Sequence, residues 1–245
     1  MKITSVNNKL IKETAKLQQR KYRDESGLFL IEGSKGVDEA LSCGIDLNQL
    51  FVLTGYDEFN QYNPIEVTEA VMSKMSDTKT PPKVLAIAKQ PKNEWKNTYK
   101  KVILLEDIKD AGNLGTILRT ACAFNIDALI LYGDTVDLYN PKCVRASVGN
   151  LWKVPVFHIK DVEELKNKFT SYERIATLPK AADTVWLNDY IPHEKVLIMF
   201  GTESSGLSEP LKNYATKNVT IEMSDKVESL NLSVSAGVIL YKLMK

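Results

Sequence analysis

The fold is decided by residues 101–132, which read KVILLEDIKDAGNLGTILRTACAFNIDALILY. The apolar runs Val102–Leu105 and Ala128–Tyr132 have the length and hydrophobicity of buried strands. Between them, Leu114–Phe124 carries apolar residues at helical spacing. A strand, a helix and a second strand in this order are typical of a parallel sheet with helices on its faces, so the pattern predicts an α/β fold.

The same alternation continues to the end of the chain. We predict further strands at Val154–Phe157, Arg174–Thr177, Val196–Phe200 and Val219–Ile221, and helices at Lys142–Asn150, Val162–Phe169, Ser208–Tyr214 and Leu232–Lys245. The sheet is therefore expected to be mostly parallel and covered on both faces. Ligands on such sheets bind at the carboxyl ends of the strands, so the loops that follow strands are candidate sites.

The first part of the chain shows a smaller α/β pattern. Predicted strands lie at Phe29–Ile31, Leu50–Leu53 and Val84–Ala88, and predicted helices at Gly33–Ser42 and Val67–Met75. A polar, lysine-rich stretch with Pro91 follows and has little apolar periodicity. We therefore predict one domain at residues 1–90, a linker at 91–100 and a second domain at 101–245.

The composition indicates a soluble globular protein, since 44% of the 245 residues are hydrophobic and 26% are charged. The net charge is only +1, so overall charge does not announce a nucleic-acid partner. The three cysteines, Cys43, Cys122 and Cys143, form no Cys-x-x-Cys pair, which disfavours a zinc site and a disulfide framework. No apolar run is long enough for a membrane span or a signal peptide. Free thiols fit a reducing cytoplasm, where we expect the protein.

Residues 3–23 have the pattern of one amphipathic helix with a narrow apolar stripe, which Ser5 or Asn7 could cap. Against the single acid Glu13, its polar side carries Lys9, Lys12, Lys16, Arg20, Lys21 and Arg23. Two interpretations are open. The charge alone favours a solvated helix face, and the alternative is a surface that contacts phosphates.

Two of the loops that follow predicted strands lead into helices. The loop Asp110–Arg119 begins a helix that Asn113 can cap through its side-chain oxygen, and Arg119 follows about one and a half turns later. Ser229 and Asn231 precede the terminal helix, and either can cap it. Taken one at a time, both segments are explained as ordinary capped helix starts.

A third loop, Gly201–Gly206, directly follows the strand Val196–Phe200 and contains one carboxylate, Glu203. Its two glycines resemble the start of a phosphate-binding P-loop, which then requires Lys followed by Ser or Thr. Leu207 stands where the lysine is needed, so a P-loop nucleotide hydrolase is excluded. A single Glu in such a loop is more often solvated than catalytic.

The three loops gain meaning as a set, because all of them follow strands of one predicted sheet. The histidines, His158 and His193, lie outside them, so neither a metal site nor a Ser-His-Asp triad is expected. The sequence lacks Gly-x-Gly-x-x-Gly, which argues against a dinucleotide dehydrogenase. Amide, hydroxyl, guanidinium and carboxylate groups at one sheet edge suit a small cofactor and a phosphate.

In this order and spacing, the loops resemble the three motifs of the SpoU or TrmH-type branch of the SPOUT RNA methyltransferases. Asp110–Ala121 resembles the first motif, Phe200–Leu207 the second and Ile221–Ala236 the third. Arg145–Gly149 resembles an intermediate signature of the family, and residues 3–33 resemble its small substrate-binding domain. The chain departs from the pattern with Ala111 in place of Pro and Asn125 in place of Gly; Asn still tolerates a left-handed cap.

The resemblance implies a SPOUT-type α/β knot: a mostly parallel sheet with a C-terminal trefoil knot, joined to a small N-terminal α/β domain that binds RNA. It also implies a homodimer with active sites near the subunit interface, and methyl transfer from S-adenosylmethionine to a ribose 2′-hydroxyl. The cofactor residues would be Thr177, Leu178, Gly201, Gly206, Ile221, Met223 and Leu230. The catalytic residues would be Asn113, Arg119, Glu203, Ser229 and Asn231. The RNA-binding residues would be Lys9, Lys12, Lys16, Arg20 and Arg145.

The role of Arg119 has two interpretations. An arginine keeps its charge in proteins, which favours anchoring a phosphate and stabilising the developing alkoxide over acting as a base. Ribosomal RNA is the expected substrate by family analogy, and transfer RNA is the alternative. Two other classes stay open: an RNA-binding or ribosome-assembly protein without catalysis, and a methyltransferase that acts on a base.

Overall fold

The computed structural model describes residues 1–181, 183–202 and 204–244. The chain forms two compact units. The first consists of Met1–Lys92 and Asp137–Trp152, and the second of Asn93–Val136 and Lys153–Lys245. Within the described residues, no helix has the length and apolar composition needed to cross a membrane.

The first unit is built on a five-stranded mixed sheet. Its strands are β1 (Lys2–Ile3), β2 (Leu28–Glu32), β3 (Leu47–Leu53), β4 (Ile65–Val67) and β5 (Val84–Lys89), and its first helices are α1 (Lys9–Lys16), α2 (Arg20–Ser26), α3 (Ser34–Ser42) and α4 (Glu69–Met75). The order in the sheet is β1-β4-β3-β5-β2. β5 runs antiparallel to both of its neighbours, and β4 runs parallel to both of its own.

The single helix predicted over residues 3–23 is wrong, because this stretch forms α1 and α2 with a turn between them. Leu17 ends α1 and is buried. Its carbonyl accepts a hydrogen bond of 2.7 Å from Nη1 of Arg23, which fixes the turn. The cap of α1 is Asn8, whose side chain accepts from the backbone N–H of Leu10, and not Ser5 or Asn7.

In the described residues after residue 100, the chain forms seven strands and five α-helices. The strands are β6 (Lys101–Glu106), β7 (Ala128–Tyr132), β8 (Val156–Ile159), β9 (Glu173–Thr177), β10 (Val185–Trp186), β11 (Val196–Phe200) and β12 (Lys217–Thr220). The helices are α5 (Ala111–Ala123), α6 (Pro141–Ser147), α7 (Val162–Lys168), α8 (Glu209–Tyr214) and α9 (Leu232–Leu243).

The seven strands form one sheet in the order β10-β12-β9-β11-β6-β7-β8. All six neighbouring pairs are parallel, which confirms the predicted α/β class with a mostly parallel sheet. The central strands are buried on both faces, as their uninterrupted apolar runs require. Because the strands are parallel, their carboxyl ends lie at one edge of the sheet.

The predicted linker, residues 91–100, contains neither helix nor strand. It is nevertheless fixed to the second unit by Trp95, whose ring makes edge contacts with Tyr99, Phe157 and Phe169 at centroid distances of 5.1, 5.2 and 5.4 Å. Edge-to-face pairs of this kind stabilise beyond the apolar area that they bury. The sequence did not predict this packing, because most residues of the stretch are polar.

The segment Asp137–Trp152, although it lies within the range predicted as the second domain, 101–245, packs within the first unit. Arg23 is only 2% exposed, and its Nε donates to Oδ2 of Asp137 at 2.7 Å. Arg145, on α6, forms ion pairs of 3.2 Å with both Glu32 and Asp77. Charges that are buried must be paired, so these contacts fix the segment to the unit that supplies their partners.

We expect Asp137→Ala to lower the free energy of unfolding by about 3–5 kcal/mol, because it leaves the buried guanidinium of Arg23 without its carboxylate. Urea denaturation measures this difference. The matched control is Asp24→Ala, which breaks the exposed pair of Arg20 and Asp24 and should cost at most about 1 kcal/mol. Equal losses in the two variants would contradict the structural role of the buried pair.

Candidate functional site

A cleft of about 1000 Å³ lies in the second unit, where the loops after β9, β11 and β12 meet the starts of α5 and α9. It is lined by every predicted cofactor residue: Thr177, Leu178, Gly201, Gly206, Ile221, Met223 and Leu230. It is also lined by three predicted catalytic residues: Asn113, Ser229 and Asn231. Segments that are more than a hundred residues apart in the sequence, such as those of Asn113 and Asn231, therefore converge on one cavity.

The loop Gly201–Leu207 is called the cofactor loop below, because the resemblance assigns Gly201 and Gly206 to the cofactor; its described ends are joined by backbone pairing. Thr202 and Gly206 exchange two backbone hydrogen bonds, of 2.9 and 3.1 Å. A Cβ atom at Gly201 would lie 2.0 Å from the carbonyl carbon of Gly206, so only glycine fits there. Leu207 is buried at the end of the loop. These contacts fix the two ends of the loop, Gly201–Thr202 and Gly206–Leu207, beside the cleft.

The start of α5 differs from the prediction that Asn113 caps it. The helix begins at Ala111, and its cap is Asp110, whose Oδ1 accepts from the backbone N–H of Asn113 at 2.8 Å. Asp110 itself lines the cleft and was missed by the sequence analysis. Its signal was present, because Asp is among the residues preferred at this position.

The start of α9 agrees with one of the two predicted caps. Oδ1 of Asn231 accepts from the backbone N–H of Ser233 at 2.9 Å and from its hydroxyl at 2.7 Å. The oxygen of this amide is therefore engaged within the helix start. Its Nδ2 group has no hydrogen-bond partner in the described part of the chain and can donate into the cleft.

Both α5 and α9 begin at the cleft, and they have 13 and 12 residues. Their N-terminal ends carry partial positive charge, which favours negatively charged ligand groups. Asp110 offsets part of this effect at α5, whereas the cap of α9 is the neutral Asn231. The α9 end is therefore the more favourable place for a carboxylate or a phosphate.

Arg119 is exposed on α5 and does not line the cleft. Six residues separate it from Asn113, which turns its direction by about 120° round the helix. The structure therefore does not bring these two predicted catalytic residues together in the cleft. Glu203, which was also predicted to be catalytic, lies outside the described residues.

The predicted RNA-binding residues belong to the first unit and differ in their partners. Lys9 and Lys12 are exposed on α1, and neither forms an ion pair with any residue that the structure describes. Lys16 pairs with Glu13 at 2.8 Å, and this hydrogen bond raises the pKa of Lys16. Arg20 lies 3.5 Å from Asp24, and Arg145 is engaged by two carboxylates.

Two charged side chains of the cleft, Lys212 and Glu228, were not predicted. Lys212 lies on α8 and pairs with Glu209 at 2.8 Å. Nothing in the local sequence marks it, because its place at the cleft depends on how α8 packs. Among the residues that are described, no group of three or more His, Cys, Asp or Glu side chains could hold a metal ion.

Two family models match this chain. The model described as the SpoU rRNA Methylase family covers residues 100–241. The model described as the MRM3-like substrate binding domain covers residues 8–86. The first match contains all three loops of the cleft, and the second contains α1 to α4.

Two curated relatives are similar to this chain over nearly their whole length. An uncharacterized tRNA/rRNA methyltransferase of Synechocystis sp. is 32% identical, over 98% of this chain and 92% of its own. The 23S rRNA (guanosine(2553)-2′-O)-methyltransferase RlmP of Bacillus subtilis is 30% identical, over 98% of each chain.

Solved structures show the same fold. An AdoMet-bound rRNA methyltransferase from Sinorhizobium meliloti has a TM-score of 0.89 and 27% identity, over 99% of this chain and 96% of that chain. An RNA 2′-O ribose methyltransferase has a TM-score of 0.85 and 34% identity, over 99% of this chain and 97% of that chain.

Proposed function

Because the chain belongs to the SpoU rRNA methylase family, we propose that it transfers the methyl group of S-adenosylmethionine to a ribose 2′-hydroxyl of ribosomal RNA. The recognition of this family from three motifs is confirmed, as are the enzyme class, an RNA methyltransferase, and the cofactor. One observation carries the proposal: the three motif segments line a single cleft at the carboxyl ends of parallel strands.

The residues of the cleft fit S-adenosylmethionine. Leu178, Ile221, Met223 and Leu230 offer apolar surface for an adenine ring, and the bare backbone at Gly201 allows close approach. The volume of about 1000 Å³ is at the upper end of the range for ligand sites and leaves room for a nucleotide beside the cofactor. When bound, the cofactor supplies a methyl group that is already strongly electrophilic.

The protein's task is then to activate the nucleophile, because a ribose hydroxyl is a weak acid. Its developing negative charge can be stabilised by a cation or by donors that point at it. Nδ2 of Asn231 is such a donor, and Ser229, two residues before it in the chain, also lines the cleft. We assign Asn231 and Ser229 to positioning the ribose or its phosphate, and Asn113 to orienting the substrate from the first turn of α5.

Arg119 is proposed to anchor a phosphate of the RNA and to stabilise the alkoxide as a cation. A guanidinium binds a phosphate through two parallel hydrogen bonds, which fixes position as well as charge. Because Arg119 lies outside the cleft of its own chain, this role requires the site to be completed at an interface. Glu203 stays a prediction from the resemblance.

A homodimer is the second part of the proposal. Val234, Val238 and Tyr241 are 50%, 40% and 52% exposed and follow one another at helical spacing on α9. Phe124, which follows the last residue of α5, makes an edge-to-face contact with Tyr241 at a centroid distance of 6.0 Å and extends this apolar stripe. A stripe of this kind can pair with its own copy across a twofold axis. Arg119 is exposed on α5, which packs beside α9.

Three further features belong to the proposal, the first two of them from the resemblance. The trefoil knot is supported by the strand order, since β12 and β11 lie on opposite sides of β9 and the chain then continues to α9 beside α5. Residues 1–90 are proposed as the substrate-binding domain, in agreement with the match at 8–86. A cytoplasmic location is proposed because ribosomal RNA would be available there.

The proposal is tested with tritiated S-adenosylmethionine, ribosomal RNA and transfer RNA, followed by nucleoside analysis by mass spectrometry. The expected product is a 2′-O-methylated nucleoside from ribosomal RNA. Label in a base would favour the base-methylating class, and label in transfer RNA alone would favour the other substrate. Binding of RNA without any label transfer would favour an assembly factor.

We expect Arg119→Lys to lower kcat about 100-fold, because a lysine keeps the charge and loses the two parallel hydrogen bonds to phosphate. The affinity for S-adenosylmethionine should stay within about twofold, since Arg119 does not line the cleft. Turnover assays and calorimetry measure the two quantities. Unchanged turnover would contradict the anchoring role.

Replacing Lys9 and Lys12 by Gln should weaken RNA binding and lower the slope of log K against log salt by about 1.4, which is the contribution of two phosphate contacts to a single strand. Filter binding at several salt concentrations measures the slope. The matched control replaces Lys21 and Lys89, which pair with Glu25 and Asp46. If both double variants show the wild-type slope of log K against log salt, the basic side of α1 is exposed to solvent and does not contact phosphates.

Val238→Glu should convert the protein to a monomer, because it places a charge in the centre of the apolar stripe of α9. Light scattering coupled to gel filtration measures the mass. Val6→Glu is the matched control, since Val6 is 38% exposed in the first unit and should leave the mass unchanged. A wild-type protein that is already monomeric would refute the dimer.

A further inference from the structure

Glu106 is a buried carboxylate that the function described so far does not use. It is the last residue of β6 and only 4% exposed. Side chains alternate along a strand, so it shares a sheet face with Leu104, which packs in one core cluster with Leu207 and Leu211. Glu106 therefore lies beneath the end of the cofactor loop, on the side of the sheet that α8 covers.

The hydrogen bond of Glu106 joins it to the residue that follows the cofactor loop. Its Oε2 accepts from the backbone N–H of Ser208 at 2.8 Å. Hydrogen bonds to a charged acceptor are about twice as strong as neutral ones. A carboxylate at 4% exposure also needs such a donor to be tolerated. This contact thus constrains the point where the loop ends and α8 begins.

The other end of the cofactor loop is constrained by the sheet. Phe200 pairs with Leu105 in the parallel ladder of β11 and β6. Residue 201 therefore leaves the sheet next to Glu106, and the chain returns to the same place at Ser208. The last two residues of β6 therefore hold both ends of the loop: Leu105 pairs with Phe200 before it, and Glu106 bonds to Ser208 after it.

We propose that Glu106 is a positioning residue that holds the cofactor loop in its binding conformation. Glu106 does not line the cleft, so it acts on the ligand only through the loop. The proposal rests on the assignment of the loop to S-adenosylmethionine. It extends that assignment by naming Glu106 as the residue that, through the loop, determines the affinity for S-adenosylmethionine.

Three variants test the contact from both sides. Glu106→Ala removes the acceptor, and Glu106→Gln keeps an oxygen that can accept. Ser208→Pro removes the donor N–H, and Ser208 already has a φ of −66°, which proline adopts. The second route keeps the test decisive if Glu106→Ala fails to fold. The dissociation constant of S-adenosylmethionine is measured by calorimetry and compared with KM and kcat.

Glu106→Ala and Ser208→Pro should each raise the dissociation constant and the KM for S-adenosylmethionine about tenfold. The turnover at saturating cofactor should change by less than about twofold. Glu106→Gln should stay within about threefold of the wild type. The double variant should be no weaker than either single one, because both remove the same contact.

Asp161→Ala is the matched control. Asp161 also accepts from a backbone N–H at a helix start, that of Glu163 at 3.0 Å, and it is not part of the cleft. If this variant and Glu106→Ala lower thermal stability equally and neither changes cofactor affinity, Glu106 is only structural and the proposal is overturned.

Gly201→Ala distinguishes an error in the role of Glu106 from an error in the assignment of the loop to S-adenosylmethionine. The added Cβ clashes within the cofactor loop and should abolish cofactor binding if the loop is the binding site. Unchanged affinity in Gly201→Ala would overturn the assignment of the loop, and the role of Glu106 with it. Lost affinity in Gly201→Ala with unchanged affinity in both Glu106→Ala and Ser208→Pro would overturn the role of Glu106 alone.

Discussion

The site depends on the parallel register between β6 and β11. Leu105 and Phe200 are paired at the ends of the two strands, so the loops that follow them start at the same level of the sheet. β9 joins the same ladder on the other side of β11. Without this alignment, the three motif segments would leave the sheet at different heights. The convergence of distant segments on one cleft is therefore a property of the sheet rather than of any loop.

The cleft is lined chiefly by backbone-rich loops and by the starts of two helices. Its acidic residues, Asp110 and Glu228, are few for its size, and no metal-binding cluster accompanies them in the described ranges. The chemistry suits this design, because a sulfonium methyl group needs no further activation. What the protein must supply is orientation, which rigid loops and capped helices provide with little reorganisation.

The parts of the fold that the sequence predicted are those set by local pattern. β7 and β11 have the predicted bounds, because apolar runs of five residues in a parallel sheet leave little choice. β1 and β4 were missed, since strands of two and three residues are stable only through their neighbours. The cap of α5 was assigned to Asn113 in place of Asp110, three residues earlier, because both residue types suit the position.

The predicted site residues also fall into two groups: those that line the cleft and those that lie elsewhere. Ten of the residues that the resemblance implied line the cleft, because a parallel sheet brings the loops that follow its strands together. Arg119 lies on the exposed side of α5, away from the cleft. The sequence could not predict this, because the spacing of the three motifs along the chain does not say which face of α5 points toward the other loops. Arg145 resembles a substrate residue in its motif, yet its partners Glu32 and Asp77 are 113 and 68 residues away. Only the folded chain shows that its charge is already engaged.

The buried pair of Arg23 and Asp137 has a consequence for modularity. The first unit takes part of its core from a segment that the chain encodes in the middle of the second unit. A fragment that begins after residue 92 would carry α6 with the buried Cys143 and Val144 but without the sheet that covers them. The first unit therefore cannot be exchanged between relatives by replacing residues 1–92 alone. Transplanting it requires residues 137–152 as well, so selection must act on the two stretches together.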